Sequence, residues 1–152
     1  MIYNFIGQPH AGKTTLALHL KNVLEKVNPE KKVFLVDGDI LRKIINNKDY
    51  SEQGRRQNIT TAYNIARYLD ADDDKDVIIA VVSPFFDLRE KLKLESNAIE
   101  IFVHTTNIRG RENFHVENYE FPETNFIDID TTDVDELTSV NELLEKINLL
   151  KK

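Results

Sequence analysis

The stretch GQPHAGKT at residues 7–14 places two glycines, a lysine and a threonine at the spacing G-x-x-x-x-G-K-[ST]. Residue types in that order suit phosphate. Glycine reaches backbone angles that turn successive N–H groups toward one point, and the N-terminus of a following helix adds free N–H groups of its own. Lys13 would reach the β- and γ-phosphates of a bound ATP, and the Thr14 hydroxyl would ligate Mg²⁺. The ATP-contacting residues expected here are Gly7, Gln8, Pro9, His10, Ala11, Gly12, Lys13, Thr14 and Thr15. Pro9 and His10 fill variable positions, and His10 reads as a loop residue rather than a catalytic group.

A second group of candidates lies further along. VDGDILRK carries Asp37 and Asp39, with Arg42 one turn later. Two carboxylates facing a phosphate site can accept a proton or hold a metal's water shell. The same residues also suit a capping turn before a short helix, because Asp is favoured there. YSEQGRRQNI adds Tyr50, Arg55, Arg56 and Asn58. Arginine can clamp phosphate or sulfate with two parallel hydrogen bonds. VVSPFFDLR then brings Ser83, Pro84 and Phe85, with Arg89 beyond them.

These residues need a scaffold, and hydrophobic periodicity supplies one. Strands are predicted at residues 2–6, 32–36, 77–82, 99–103 and 126–129, the VIIAVV run being the most apolar. Helices are predicted at 13–27, 40–45, 51–69, 86–94 and 134–150. The first has Leu16, Leu20, Val23, Leu24 and Val27 on one face, and Ser51 is a candidate N-cap for the third. Residues 105–124 are polar and aperiodic. Strands alternating with helices imply an α/β fold: a three-layer, mostly parallel five-stranded sheet with helices on both faces. Ligands in such sheets bind at the carboxyl ends of the strands, which puts the rim just after Ile6, Val36, Val82 and Val103. The phosphate loop, the Asp37–Asp39 pair and Ser83-Pro84 follow strand ends at that rim, and Arg89 lies on the helix beyond it.

Composition narrows the class. The 152 residues are enough for one domain, 1–152, with its own core. Hydrophobic residues make up 41% and charged residues 30%, as in ordinary globular proteins. The absence of Cys excludes disulfides, thiolate metal sites and a cysteine nucleophile. Net charge of −6 argues against nonspecific nucleic-acid binding. No apolar run approaches the ~20 residues of a membrane span. The opening MIYNFIGQPH lacks a signal-type leader, so a cytoplasmic location is expected. The acidic run at 70–76 reads as a solvated turn without EF-hand spacing. His19 and His115 read as surface and loop residues, His104 as a strand-end histidine, and Tyr63 and Tyr68 as packing residues.

Taken in order, DGDILR (37–42), YSEQGRRQNI (50–59), VSPF (82–85) and ENFHVENYEFP (112–122) resemble the adenylylsulfate kinase family over nearly the whole chain. That family shows DGD-x-x-R, FS-x-x-DR-x-x-N-I, ISPY and a lid with an N-F-T-G-like stretch before Y-E-x-P. It phosphorylates the 3′-hydroxyl of adenosine 5′-phosphosulfate (APS) to give PAPS. The resemblance implies ATP and APS as substrates, Mg²⁺ as cofactor and a homodimer. It implies Asp39 as general base supported by Asp37, with Lys13 and the lid residue Arg109 neutralising the transferred group. Arg42, Arg55 and Asn58 would hold the phosphosulfate and ribose, and Tyr50 and Phe114 would sandwich the adenine. Ser83, with Pro84 and Phe85, would position the acceptor, since in-line transfer with Mg²⁺ needs no covalent step. The 119–122 segment would approach the ATP base.

Four departures stand out. Gly54 replaces an Asp, Thr60 and Thr61 replace an arginine pair, the lid region (about 105–124) is short, and the chain starts at its first strand. The motifs also admit a P-loop kinase for another small molecule or nucleotide, and the short lid admits a catalytically weak nucleotide-binding regulator.

Overall fold

The computed structural model describes residues 1–107 and 115–151. Along them run β1 (Ile2–Ile6), α1 (Lys13–Val27), β2 (Lys32–Asp37), α2 (Gly38–Ile45), α3 (Glu52–Asp70), β3 (Lys75–Ala80), α4 (Phe86–Ser96), β4 (Ile99–His104), β5 (Phe126–Asp130) and α5 (Glu136–Leu150). The strands form one sheet in the order β2-β3-β1-β4-β5. Every neighbouring pair is parallel, so the expected mostly parallel sheet is wholly parallel among the described residues. Parallel neighbours cannot be joined by tight turns. Helices therefore make the returns from β1 to β2, β2 to β3 and β3 to β4, and every strand ends at the same rim.

The alternation of side chains along each strand divides the core in two. On one face Tyr3, Phe5, Ile78, Ala80, Ile101, Val103, Ile127 and Ile129 meet Leu16, Ala17 and Leu20 of α1 and Val140, Leu143 and Ile147 of α5. On the other, Ile2, Val36, Val77, Ile79 and Val81 meet Leu41 of α2, Ile59, Ala62, Tyr63 and Ala66 of α3, and Leu92 of α4. Each fully buried Ile, Leu or Phe contributes roughly 1.5–3 kcal/mol by leaving water. Val27, placed on the core face of α1 by periodicity, is instead exposed as the last residue of that helix.

Boundaries moved where tertiary contacts decide them. Residues 75 and 76 join β3 because Lys32 and Val33 of β2 pair with them. Residues 81 and 82 leave the regular ladder. Val82 offers its carbonyl to the Gly7 N–H at 3.4 Å, and the chain then turns at Ser83, whose φ is +44°. Helix α2 begins at Gly38 rather than at residue 40, since Asp37 caps it by accepting from the N–H groups of Asp39 and Ile40. Helix α5 begins two residues after the expected start, since Asp135 caps it through the Thr138 N–H. Ser51 caps α3 as expected, accepting from Gly54 N–H. The acidic run at 70–76 is only partly solvated. Asp70 accepts from the Met1 amine at 2.6 Å, and the buried Asp76 pairs with Lys31 at 3.1 Å.

One group of charges lies inside the second core. Arg89 of α4 is wholly buried. Its Nε donates to Glu100 of β4 at 2.9 Å, one terminal nitrogen to the Ser83 carbonyl at 2.8 Å and the other to the Glu120 carbonyl at 2.5 Å. Lys93 reaches the second Glu100 oxygen at 2.9 Å and the Thr124 carbonyl at 3.1 Å. The network ties a helix, an interior strand and the approach to β5 together. Removing the negative charge leaves the buried Arg89 without its carboxylate partner, while Lys93 keeps Glu90 at 2.8 Å; breaking a buried pair is a loss of the kind that costs about 3–5 kcal/mol. Glu100→Gln is therefore expected to lower the unfolding free energy by about 3 kcal/mol in a urea titration at unchanged m-value. A change under about 0.5 kcal/mol would show that the network does not hold the fold.

Candidate active site

The loop after β1 has the shape its glycines require. Gly7 sits at φ +140°, and a Cβ there would lie 2.1 Å from the Val103 carbonyl oxygen of β4. Only glycine lets the loop pass so close to that strand. Gly12, at φ +103°, begins α1 without a side-chain cap, and no acidic residue lies in the first turn. The helix therefore presents uncapped N–H groups and the positive end of its dipole to whatever occupies the loop. Thr131, just after β5, supports the loop from beneath, donating to the Ala11 carbonyl at 2.9 Å. His10 lies exposed at φ +65°, Pro9 is half-buried, and the Thr14 hydroxyl is exposed on the first turn of α1 beside the half-buried Thr15.

Lys13 is only 8% exposed, and its ammonium donates to the Gln8 carbonyl at 2.8 Å. Burial pulls its pKa from 10.5 down to about 8, against the opposing pull of the Asp39 and Asp37 charges. Those carboxylates come from the end of β2. Asp37 spends one oxygen capping α2, which leaves Asp39 exposed in the first turn. The capping turn and the acidic pair, alternatives in the sequence, are thus one arrangement: the cap holds the helix that carries Asp39.

The cations gather around one ring. The Arg42 guanidinium lies 4.1 Å from the Tyr50 ring centre and donates to the carbonyls of Asn47 and Asp49 at 3.1 Å. Arg55 lies 6.0 Å from the same ring and donates to the Tyr50 carbonyl at 2.8 Å. Tyr50 itself is 62% exposed. Asn58 is buried, with its amide on the Gly38 carbonyl at 3.3 Å, while its Oδ1 has no protein partner among the described residues. Arg56 turns away from this group, pairing with Asp87 at 3.0 Å and covering Phe85 at 4.2 Å.

Ser83 does not present its hydroxyl to the rim. It is completely buried, and its Oγ pairs with the Tyr63 hydroxyl at 2.6 Å, which in turn accepts from Asn4 at 2.9 Å. With Arg89 on its carbonyl, Ser83 is a fixed turn that positions the buried Pro84 and half-buried Phe85, not an exposed nucleophile. Tyr119 of the 119–122 segment is likewise held from within. It is buried with its hydroxyl on the Val82 carbonyl and clusters with Phe102 and Phe121, while Phe121 of the same segment stays exposed. His104 is a satisfied strand end, paired with Asp128 at 2.9 Å and stacked on Phe102. Arg109 and Phe114 lie outside the described residues.

Sequence reasoning passed over Arg89, Tyr63, Asn4 and Thr131 as functional supports. A polar Asn within the short apolar strand IYNFI and an Arg one turn into α4 were the available signals.

The adenylylsulphate kinase family model matches residues 1–116. The chain belongs to the adenylylsulphate kinase family. It is a kinase of that family, built on the same P-loop scaffold. An adenylyl-sulfate kinase of Burkholderia ambifaria is 37% identical over 101 residues, 64% of this chain and 54% of the relative. The alignment thus spans about half the length of that curated relative. Among solved structures, the hexameric APS kinase from Thiobacillus denitrificans superimposes with a TM-score of 0.78 at 26% identity, covering 97% of this chain and 28% of that one. The Mycobacterium tuberculosis APS kinase in complex with AMPPNP and APS has a TM-score of 0.75 at 20% identity, covering 99% and 96%. Among the described residues no helix is long and apolar enough to cross a membrane.

One departure from the family pattern has a structural cause. Residues 47–51 fold back over the start of α3, with Asn47 Nδ2 on the Gly54 carbonyl at 2.9 Å. A Cβ at Gly54 would lie 2.1 Å from the Asp49 carbonyl oxygen. An Asp at this position is therefore incompatible with the turn that carries Tyr50. Gly54→Ala is expected to destabilise the protein by about 2 kcal/mol or more, the scale of overpacking strain, and to raise amide exchange across 47–51 in particular. A neutral substitution would show that the turn has room to adjust.

Proposed function

We propose that the protein transfers the γ-phosphate of ATP to the 3′-hydroxyl of APS, releasing ADP and PAPS. The observation that carries this reading is a desolvated Lys13 in the phosphate-binding loop, its ammonium on the Gln8 carbonyl and near enough to Asp39 and Asp37 for their charges to oppose the fall of its pKa. A phosphate-seeking cation and a candidate proton acceptor thus follow the ends of β1 and β2 at the same sheet rim.

The residues divide the work. The loop N–H groups of residues 7–12 and the uncapped start of α1 bind the phosphates; Lys13 leaves the Gln8 carbonyl for the β- and γ-oxygens and neutralises charge as the group moves. The site suits a divalent ion that arrives with ATP: the exposed Thr14 hydroxyl supplies one ligand, and hydrated Mg²⁺ usually takes only one or two from protein. That ion would add charge neutralisation between the phosphates. Asp39, held by the Asp37 cap, takes the proton of the 3′-hydroxyl as the oxygen attacks in line. Arg42 and Arg55 offer two cations to the phosphosulfate, and the exposed Tyr50 ring offers a face to adenine. The unpartnered Asn58 Oδ1 suits a hydroxyl donor such as the ribose. Pro84 and Phe85 shape the acceptor side. Roles for Arg109 in charge neutralisation and Phe114 against the adenine rest on the sequence resemblance. A homodimer and a cytoplasmic location complete the proposal.

Purified protein with ATP, Mg²⁺ and micromolar APS should form PAPS, followed directly by chromatography. Lys13→Ala should lose at least about a thousandfold in turnover. Asp39→Asn should keep ATP binding but lose about a hundredfold or more in kcat. ATP binding without PAPS would move the reading to another acceptor or to a regulator, and full activity in Asp39→Asn would remove the base assignment.

The lowered pKa of Lys13 gives a second check. The protonated form is the one that pairs with phosphate. ATP affinity should therefore be level below pH about 8 and weaken above it, as the free protein's lysine loses its proton. Calorimetric titrations across that range should show this decline in the wild type and none in Lys13→Ala. A wild-type affinity flat to pH 9.5 would contradict it.

A further inference from the structure

Gln8 occupies a variable position of the phosphate-binding loop, yet its side chain is fully committed. Nε2 donates to the Val116 carbonyl at 2.8 Å, and Oε1 accepts from the Val116 N–H at 2.8 Å. The side-chain amide pairs with a single residue of another segment as a neighbouring strand would. The main-chain carbonyl of the same Gln8 accepts from Lys13. One residue thus holds the phosphate-seeking lysine with its backbone and a distant segment with its side chain.

That segment is anchored again a few residues on. Val116 packs on the cluster of Ile6, Phe102 and Tyr119. Tyr119 bonds the Val82 carbonyl, which also accepts from Gly7. Glu120 donates its N–H to the Pro84 carbonyl at 3.1 Å, accepts from the Phe86 N–H at 2.8 Å through its carboxylate, and accepts from Arg89 through its carbonyl. Residues 115–122 therefore bridge the ATP loop and the Ser83–Pro84 turn, with Gln8 as the clasp at the loop end.

We propose that Gln8 is a positioning residue whose two-way pairing with Val116 keeps the phosphate-binding loop in its binding shape and couples it to the Ser83–Pro84 turn on the acceptor side. Its carbonyl direction, and with it the placement of Lys13, is set through a contact outside the loop. The inference rests on the kinase reading only so far as ATP binds at Lys13, and the identity of the acceptor does not enter.

Gln8→Met keeps side-chain length and removes both hydrogen bonds. The Val116 amide should then exchange about tenfold faster or more, and ATP should bind about five- to tenfold more weakly by calorimetry. The KM for ATP should rise more than kcat falls. Val116→Pro removes the N–H from the other side with Gln8 intact, and should weaken ATP binding in the same direction. It also keeps the question answerable if Gln8→Met folds poorly. Unchanged Val116 exchange in Gln8→Met would show that the clasp does not form. Faster Val116 exchange in Gln8→Met, together with unaltered ATP affinity in both variants, would reduce Gln8 to a structural contact. Absence of PAPS formation with ATP binding intact would sink the acceptor assignment and leave this test standing.

Discussion

An ammonium group held almost out of water sets the terms for this site. Lys13 lies desolvated at the start of α1, 8% exposed, between the buried Ala11 and Leu16 in sequence. In exchange it has one neutral carbonyl and the more remote charges of Asp39 and Asp37. A buried cation so lightly compensated is costly, and its pKa falls for that reason. A polyanion relieves the cost at once, because it supplies the missing negative charge where the uncapped helix N-terminus already favours one. The penalty in the free protein is thus a source of selectivity for phosphate in the bound one.

The loop can hold that geometry because it is braced on three sides. Gly7 lies against the Val103 carbonyl, Thr131 props the Ala11 carbonyl, and Gln8 clasps Val116. The acceptor side is braced by different means. Arg89 fixes the Ser83 turn from within the core, and the Asn4–Tyr63–Ser83 chain fixes it from β1 and α3. Both sides therefore draw on β1: its end becomes the phosphate loop and its middle supports the opposing turn. Groups held in place in this way before binding need less ordering when a ligand arrives.

The change from the family pattern at Gly54 has a local cause. Gly54 follows from the tight fold-back at 47–51, which brings the Tyr50 ring under Arg42 and beside Arg55. A bulkier residue would have to undo that turn. The arginine content of the neighbourhood is deceptive by count alone. Arg42 and Arg55 share one ring, whereas Arg56 is drawn off by Asp87 and Phe85 and Arg89 is sealed in the core.

By itself, the sequence determined the alternation of strands and helices, the phosphate loop and its lysine, the acidic pair after the second strand and the family likeness. Each depends on local spacing: apolar residues at a period of two or 3.6, glycines at fixed offsets, carboxylates at a strand end. The tertiary structure decided the rest. Arg89 and Arg55 look alike in a sequence, and only the packing of α4 on β4 makes one structural and leaves the other at the rim. Ser83 looked available until Tyr63, twenty residues earlier in the chain, was found on its hydroxyl. Nothing local in the sequence shows that the Tyr119 hydroxyl bonds the Val82 carbonyl. Gln8 and Val116 stand 108 residues apart. Burial and hydrogen-bond partnership across such separations are properties of the assembled chain. No local pattern carries them, because the free energy that selects them comes from groups that meet only after the sheet has formed.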